Sequence, residues 1–114
     1  MQLTAEQFPD ATLITVLESR IDAASAIAFK DQMRDLTDDG PERVVLDLAG
    51  VDFVDSSGLG AIVATMKLLG PERRLEIAAL SPTVEKVFRL TRMDSVFTIH
   101  ESAKMAVGKQ TLAS

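Results

Sequence analysis

Residues 43–48, Arg-Val-Val-Leu-Asp-Leu, form a nearly continuous apolar run. A strand with one solvated face alternates apolar and polar residues. This one does not, so it is expected at the centre of a sheet covered on both faces. Sheets of that kind are built from parallel strands joined by helical crossovers. The flanking residues supply such helices. Leu59, Ile62, Val63 and Met66 recur at helical spacing, in a helix that starts at Ser56-Ser57 and stops at Gly70-Pro71. Arg74–Leu80 reads as the next strand. Ser81-Pro82 reads as an N-cap followed by proline at the first helical position. Val84, Val87 and Phe88 then form an apolar helix face, with Arg89 and Arg92 towards its C-terminal end.

Upstream, Thr12–Glu18 is rich in β-branched and apolar residues and reads as a strand. A weaker strand around Gln2–Phe8 pairs with it in a hairpin across Pro9-Asp10. Asp22 is expected as the N-cap of a first helix carrying Ala26, Phe29, Met33 and Leu36, ended by Asp38-Asp39-Gly40-Pro41. Val96–Ile99 is expected as a short strand, followed by a helix over Glu101–Val107. The order β-β-α-β-α-β-α-β-α implies an α/β fold: a mixed, mostly parallel sheet with an N-terminal hairpin and about four helices. One domain is expected over residues 1–114, with the tail 109–114 loose.

Composition narrows the chemistry. The chain has 12 basic and 17 acidic residues, a net charge of −5, which argues against nucleic acid or an anionic membrane as partner. It has no cysteine and one histidine, His100, so thiolate metal sites and cysteine nucleophiles are excluded, and no metal or cofactor is expected. No apolar run approaches the roughly 18–20 residues of a membrane helix. The first residues lack the features of a secretory signal, so the cytoplasm is the expected location.

The most informative stretch is Asp55-Ser56-Ser57-Gly58-Leu59-Gly60, after a buried strand and at the start of a helix. One reading is a capped helix start, in which Asp or Ser accepts backbone N–H bonds and the glycines allow close packing. The other is a hydroxyl displayed at a helix N-terminus, where a phosphate would meet free N–H groups and the positive end of the helix dipole. On that reading Gly58 and Gly60 would let another protein's active site approach the backbone. The stretch is not a phosphate-cradling P-loop, because no G-x-x-x-x-G-K-[ST] occurs.

Val54-Asp55-Ser56-Ser57-Gly58-Leu59-Gly60-Ala61-Ile62 resembles the signature segment of the STAS domain family, and within it of the bacterial anti-sigma factor antagonists. Val44–Leu48 is similar to that family's central strand, Ser81–Val84 with Phe88 to the start of its third helix, and Arg20-Ile21-Asp22 to the loop before its first. The likeness runs from about Thr12 to Val107. It implies the STAS fold and a substrate, not a catalyst. Ser56 matches the serine phosphorylated by a cognate anti-sigma factor kinase of HATPase type, which supplies ATP and Mg. The unphosphorylated form binds that kinase and frees its sigma factor, and a PP2C-type phosphatase resets the switch. Asp22 and Asp55 match acidic positions at the partner-binding face. The expected contact surface joins two loops: Arg20, Ile21 and Asp22, and Asp55, Ser56, Ser57, Gly58 and Leu59.

Two other readings stand beside this one. The chain could be a STAS scaffold or transporter-associated subunit that is never phosphorylated; the Asp55-Ser56 pair weighs against it. Or Asp47, at the end of an apolar strand, could be the phosphoacceptor of a receiver domain. A receiver also needs an acidic pair after its first strand, and here that strand ends in Glu18-Ser19-Arg20. Asp47 is therefore expected as a strand-end hydrogen-bonder, Asp52 as solvated, Arg73 and Arg74 as a solvated start to their strand, and Met66, Met93 and Met105 as core or half-buried residues. His100 is expected in a surface or capping role.

Overall fold

The computed structural model describes residues 1–112, with side chains through Val107. Its main sheet has five strands: β1 (Leu3–Gln7), β2 (Ala11–Val16), β4 (Arg43–Asp47), β6 (Arg74–Ala78) and β7 (Ile99–His100), in the spatial order β1-β2-β4-β6-β7. β1 and β2 form the antiparallel hairpin, with Leu3 opposite Val16 and Gln7 opposite Thr12. The remaining neighbours are parallel. The central strand is the run at 43–48, as its lack of alternation requires: Val44, Val45, Leu46 and Leu48 are all fully buried.

Alternation along β4 divides the core in two. Val44 and Leu46 point to one face, with Ile14, Val16, Leu75 and Ile77, and against three helices: α1 (Ala26–Thr37), α2 (Ser56–Leu69) and α3 (Pro82–Leu90). Phe29 and Met33 of α1, Ile62 of α2 and Val84 and Phe88 of α3 are the helical half of that core. Each such side chain contributes about 1.5–3 kcal/mol through burial. Val45 points the other way, with Ala11 and Ala78, against Ala106 and Val107 of α4 (Ala103–Leu112).

Helix boundaries follow local chemistry. The Ser81 hydroxyl accepts the Val84 N–H, with Pro82 as the first residue of α3. Gly70 ends α2 at φ 80°, a conformation that glycine adopts without penalty. Several expectations need correction. Asp22 is not the N-cap of α1, which begins at Ala26 after Ser25. Asp22 instead closes the turn at residues 23–25: its Oδ1 accepts the N–H groups of Ala24 at 3.1 Å and Ser25 at 3.2 Å. Residues 93–95 form a 3-10 turn, so the last strand starts only at Ile99 instead of Val96. The last helix starts at Ala103 and runs through Gly108 to Leu112, so it overlaps the expected tail, whose final two residues lie outside the described ones. Met105 is exposed. Arg73 is not simply solvated: it donates to the carbonyl oxygens of Thr37 at 2.6 Å and Pro41 at 3.1 Å, tying the end of α1 to the start of β6.

On the α4 face, one acid is buried in β6. Glu76 is 4% exposed and receives two bonds from Arg43, at 2.8 and 3.1 Å. His100 lies 2.7 Å away, so it serves this buried pair in place of a surface or capping role. Arg43 also donates to the carbonyl of Ala106 at 2.9 Å, linking the cluster to α4. Burial alone would push the Glu76 carboxyl up. The bonds from Arg43 and His100 outweigh that and hold it down at about 2.

Candidate functional site

Because β2 and β4 are parallel neighbours, the loops that leave their C-terminal ends emerge on one edge of the sheet. They do more than lie near each other. Each contains a two-residue strand, β3 (Arg20–Ile21) and β5 (Phe53–Val54), and these pair in parallel, with Arg20 opposite Phe53 and Ile21 opposite Val54. The pairing continues past both ends: Asp52 N–H donates to Ser19 O at 2.9 Å and Asp55 N–H to Ile21 O at 3.4 Å.

Asp55 links the two loops. It is the N-cap of α2, with extended backbone, and its Oδ1 accepts the Gly58 N–H at 2.8 Å. Its Oδ2 accepts the Ala23 N–H of the first loop at 3.1 Å. One carboxylate thus starts the helix and holds the other loop beside it. Gly58 makes the close approach possible. A Cβ there would collide with the Ile21 carbonyl oxygen and stand 2.6 Å from its carbonyl carbon. At Gly60 a Cβ would meet nothing within 4 Å. The two glycines therefore differ: Gly58 accommodates this chain's own backbone, and Gly60 lies open.

The expected site residues divide accordingly. Ser56 and Ser57 are exposed in the first turn of α2, where the earliest N–H groups have no partner within the helix. Asp55 performs the capping, which leaves the Ser56 hydroxyl free of it. Asp22 and Asp55 are partly exposed on the same edge, and Arg20 is exposed beside them. Ile21 and Gly58, expected at the contact surface, are buried, so they set the backbone and present no side chain. Leu59 is half-buried against the main core.

Arg20 is more constrained than its exposure indicates. Its Nε donates to Asp22 Oδ2 at 3.1 Å, and its guanidinium carbon lies 4.1 Å from the centroid of the Phe53 ring. That hydrogen bond, with those from Ser25, holds the Asp22 carboxyl below its ordinary value. Phe53 was not among the sequence candidates. Its signal was present in Val51-Asp52-Phe53-Val54, an aromatic just before the signature segment; Val51 and Val54 are buried and Phe53 is half-buried between them.

Asp47 is the strand-end hydrogen-bonder expected of it, accepting the Ala49 N–H at 2.9 Å. The antiparallel β1 at the sheet edge removes the receiver reading, whose sheet is parallel throughout. Among the described residues no group of His, Asp and Glu is placed to hold a metal ion, and no helix is long and apolar enough to cross a membrane.

The model of the STAS domain family matches residues 2–106. BtrV of Bordetella bronchiseptica, named as a candidate anti-sigma factor antagonist, is 31% identical over 107 residues, covering 93% of this chain and 91% of that protein. An anti-sigma factor antagonist from Mycobacterium paratuberculosis superimposes with a TM-score of 0.83 at 25% identity, over 96% of this chain and 93% of that one. SpoIIAA, an anti-sigma factor antagonist, shares the fold in its unphosphorylated form, with a TM-score of 0.76 at 18% identity over 95% of both chains. Its phosphorylated form, from Bacillus, gives 0.70 at 17% identity over 95% of this chain and 98% of that one. By its fold, its family match and its relatives, this chain belongs to the STAS domain family, among the anti-sigma factor antagonists.

Proposed function

We propose that this chain is a phosphorylation-controlled antagonist in a partner-switching pathway, with Ser56 as its phosphoacceptor. The unmodified form binds an anti-sigma factor that is also a serine kinase of HATPase type, and so frees the sigma factor. The kinase supplies ATP and Mg. The Ser56 oxygen attacks the γ-phosphorus, its proton passes to a base on the kinase, and ADP leaves. A PP2C-type phosphatase hydrolyses the phosphoserine and restores binding. The chain performs no chemistry of its own, takes no cofactor and works in the cytoplasm.

The observation that carries this reading is the division of labour at the start of α2. Asp55 takes the cap, and an exposed serine stands next to it on an edge built from two loops. Phosphate adds about −1.5 to −2 charges at neutral pH. At about 5 Å from an acidic group of the docked partner, repulsion is ~3 kcal/mol per unit-charge pair at an effective dielectric of about 20. That corresponds to roughly a hundredfold in affinity. Within this chain the helix N-terminus favours the phosphate by about 0.3–1 kcal/mol. It gives no such relief to a partner packed against the new charge. SpoIIAA, solved in both forms, is a precedent for a STAS fold that accommodates phosphate.

The test is to incubate the chain with its cognate kinase and Mg-ATP and map the modification by tandem mass spectrometry. Phosphate on Ser56 is expected. Phosphate on Ser57 or Asp47, or none at all, would overturn the assignment.

A further inference from the structure

We propose that Arg20 is the internal counter-ion of phosphorylated Ser56, and that it leaves Asp22 to take up that role. The inference rests on Ser56 being the modified serine, and it describes what the modification does to the contact surface.

Arg20 is placed for the exchange. It stands opposite Phe53 in the β3–β5 pair, on strands about 4.8 Å apart. Ser56 follows Phe53 by three residues, at most about 10 Å of extended chain. In residues 17–25 and 49–58 Arg20 is the only basic residue, among four acidic ones: Glu18, Asp22, Asp52 and Asp55. A phosphate on Ser56 therefore has one cation on its own edge to turn to.

Arg20 can also exchange one anion for another without leaving the edge. Its side chain is 56% exposed and gives one of its five N–H donors to Asp22. Asp22 keeps other partners when that bond opens. Its Oδ1 already accepts from the N–H groups of Ala24 and Ser25 and from the Ser25 hydroxyl at 3.2 Å. The Phe53 ring beneath the guanidinium keeps it on this edge whichever anion it faces. Between a carboxylate of one charge and a phosphate of nearly two, with oxygens spaced for a bidentate contact, an exposed guanidinium favours the phosphate. Phosphorylation then acts twice on a docked kinase: it adds negative charge and withdraws the edge's one cation.

The test uses the full chain with phosphoserine installed at position 56 during translation, which bypasses any kinase. The second ionisation of the phosphate, near pH 6 when free, is followed by 31P NMR at low salt. In the wild type its midpoint is expected about 0.7 of a pH unit below that of Arg20→Gln, the equivalent of a unit-charge pair about 4 Å apart in water. Equal midpoints would overturn the proposal. Release from Asp22 is tested by Asp22→Asn, which should lower the midpoint more when Arg20 is present than in the Arg20→Gln background. Equal shifts in the two backgrounds would overturn the exchange. Arg20 is exposed, and amide spectra verify that the variants are folded. A kinase that labels another residue would sink the proposed function while leaving this result intact. Equal midpoints would remove the counter-ion while leaving Ser56 as the acceptor.

Discussion

Replacing Gly58 and Gly60 by alanine should move stability in opposite directions, although the two sites are two residues apart in one helix. In an unobstructed helical position Gly→Ala stabilises by about 0.5–1 kcal/mol, because alanine loses less backbone entropy on folding. Gly60 is such a position, exposed and with nothing within 4 Å of the new methyl. At Gly58 the methyl would occupy space held by the Ile21 carbonyl, which is backbone and cannot rotate away. Overpacking of this kind costs about 1–3 kcal/mol. Separating the loops also strains the charge-assisted bond from Ala23 N–H to Asp55. Such bonds contribute about 1.5–3 kcal/mol in full, and less at a half-exposed site. After subtracting the helix gain, Gly58→Ala should lose on the order of 1–3 kcal/mol. Urea unfolding followed by far-UV circular dichroism measures both variants. A Gly58→Ala chain as stable as wild type would refute the claim that the loops are held in backbone contact at this glycine.

Three further outcomes follow from the same structure. Ser56→Ala should fold normally and bind the kinase whatever the kinase's activity, while Ser56→Asp binds weakly; calorimetric titration giving equal affinities would remove the electrostatic part of the switch. Asp22→Asn keeps the acceptor for Ala24 and Ser25 but loses the charge, so kinase affinity should fall by about tenfold at low salt with little change in stability; unchanged affinity would reduce Asp22 to a turn residue. Glu76, at about 2 in the fold against an ordinary 4.5, is depressed, so its contribution is complete above about pH 4.5 and is lost as pH falls towards 2. The loss is on the order of 3 kcal/mol; urea midpoints should fall through that window in wild type and flatten in Glu76→Gln, itself less stable at neutral pH because Arg43 loses its buried anion and keeps only the exposed Asp10 at 3.9 Å.

The parts of the fold that were legible in the sequence are those in which many residues repeat one signal. Five residues of β4 without alternation mark a central strand, and Ser81-Pro82 marks a helix start by two independent constraints. The Asp55–Leu59 segment was legible for the same reason, with a buried strand on one side and helical periodicity on the other. β3 and β5 were not legible, because two residues carry no period. Their pairing follows from the register of β2 against β4, a long-range property. Asp22 was placed on the wrong element because the turn it closes and a helix cap use the same residue type and the same N–H acceptance. Glu76 left a trace that was passed over: a carboxylate at the centre of Arg-Leu-Glu-Ile-Ala requires a buried cation, and Arg43 stands on the neighbouring strand two residues from Val45, the residue opposite Glu76.

The central claim is that a phosphate on Ser56 blocks the complex while leaving the fold intact. The most direct measurement is calorimetric titration of the cognate anti-sigma factor kinase, without nucleotide, with the unmodified chain and with the chain carrying phosphoserine at position 56. The account predicts affinity weaker by roughly a hundredfold or more for the modified chain, with urea midpoints for the two forms that agree closely. Equal affinities would contradict it, as would a phosphorylated chain that fails to bind only because it has unfolded.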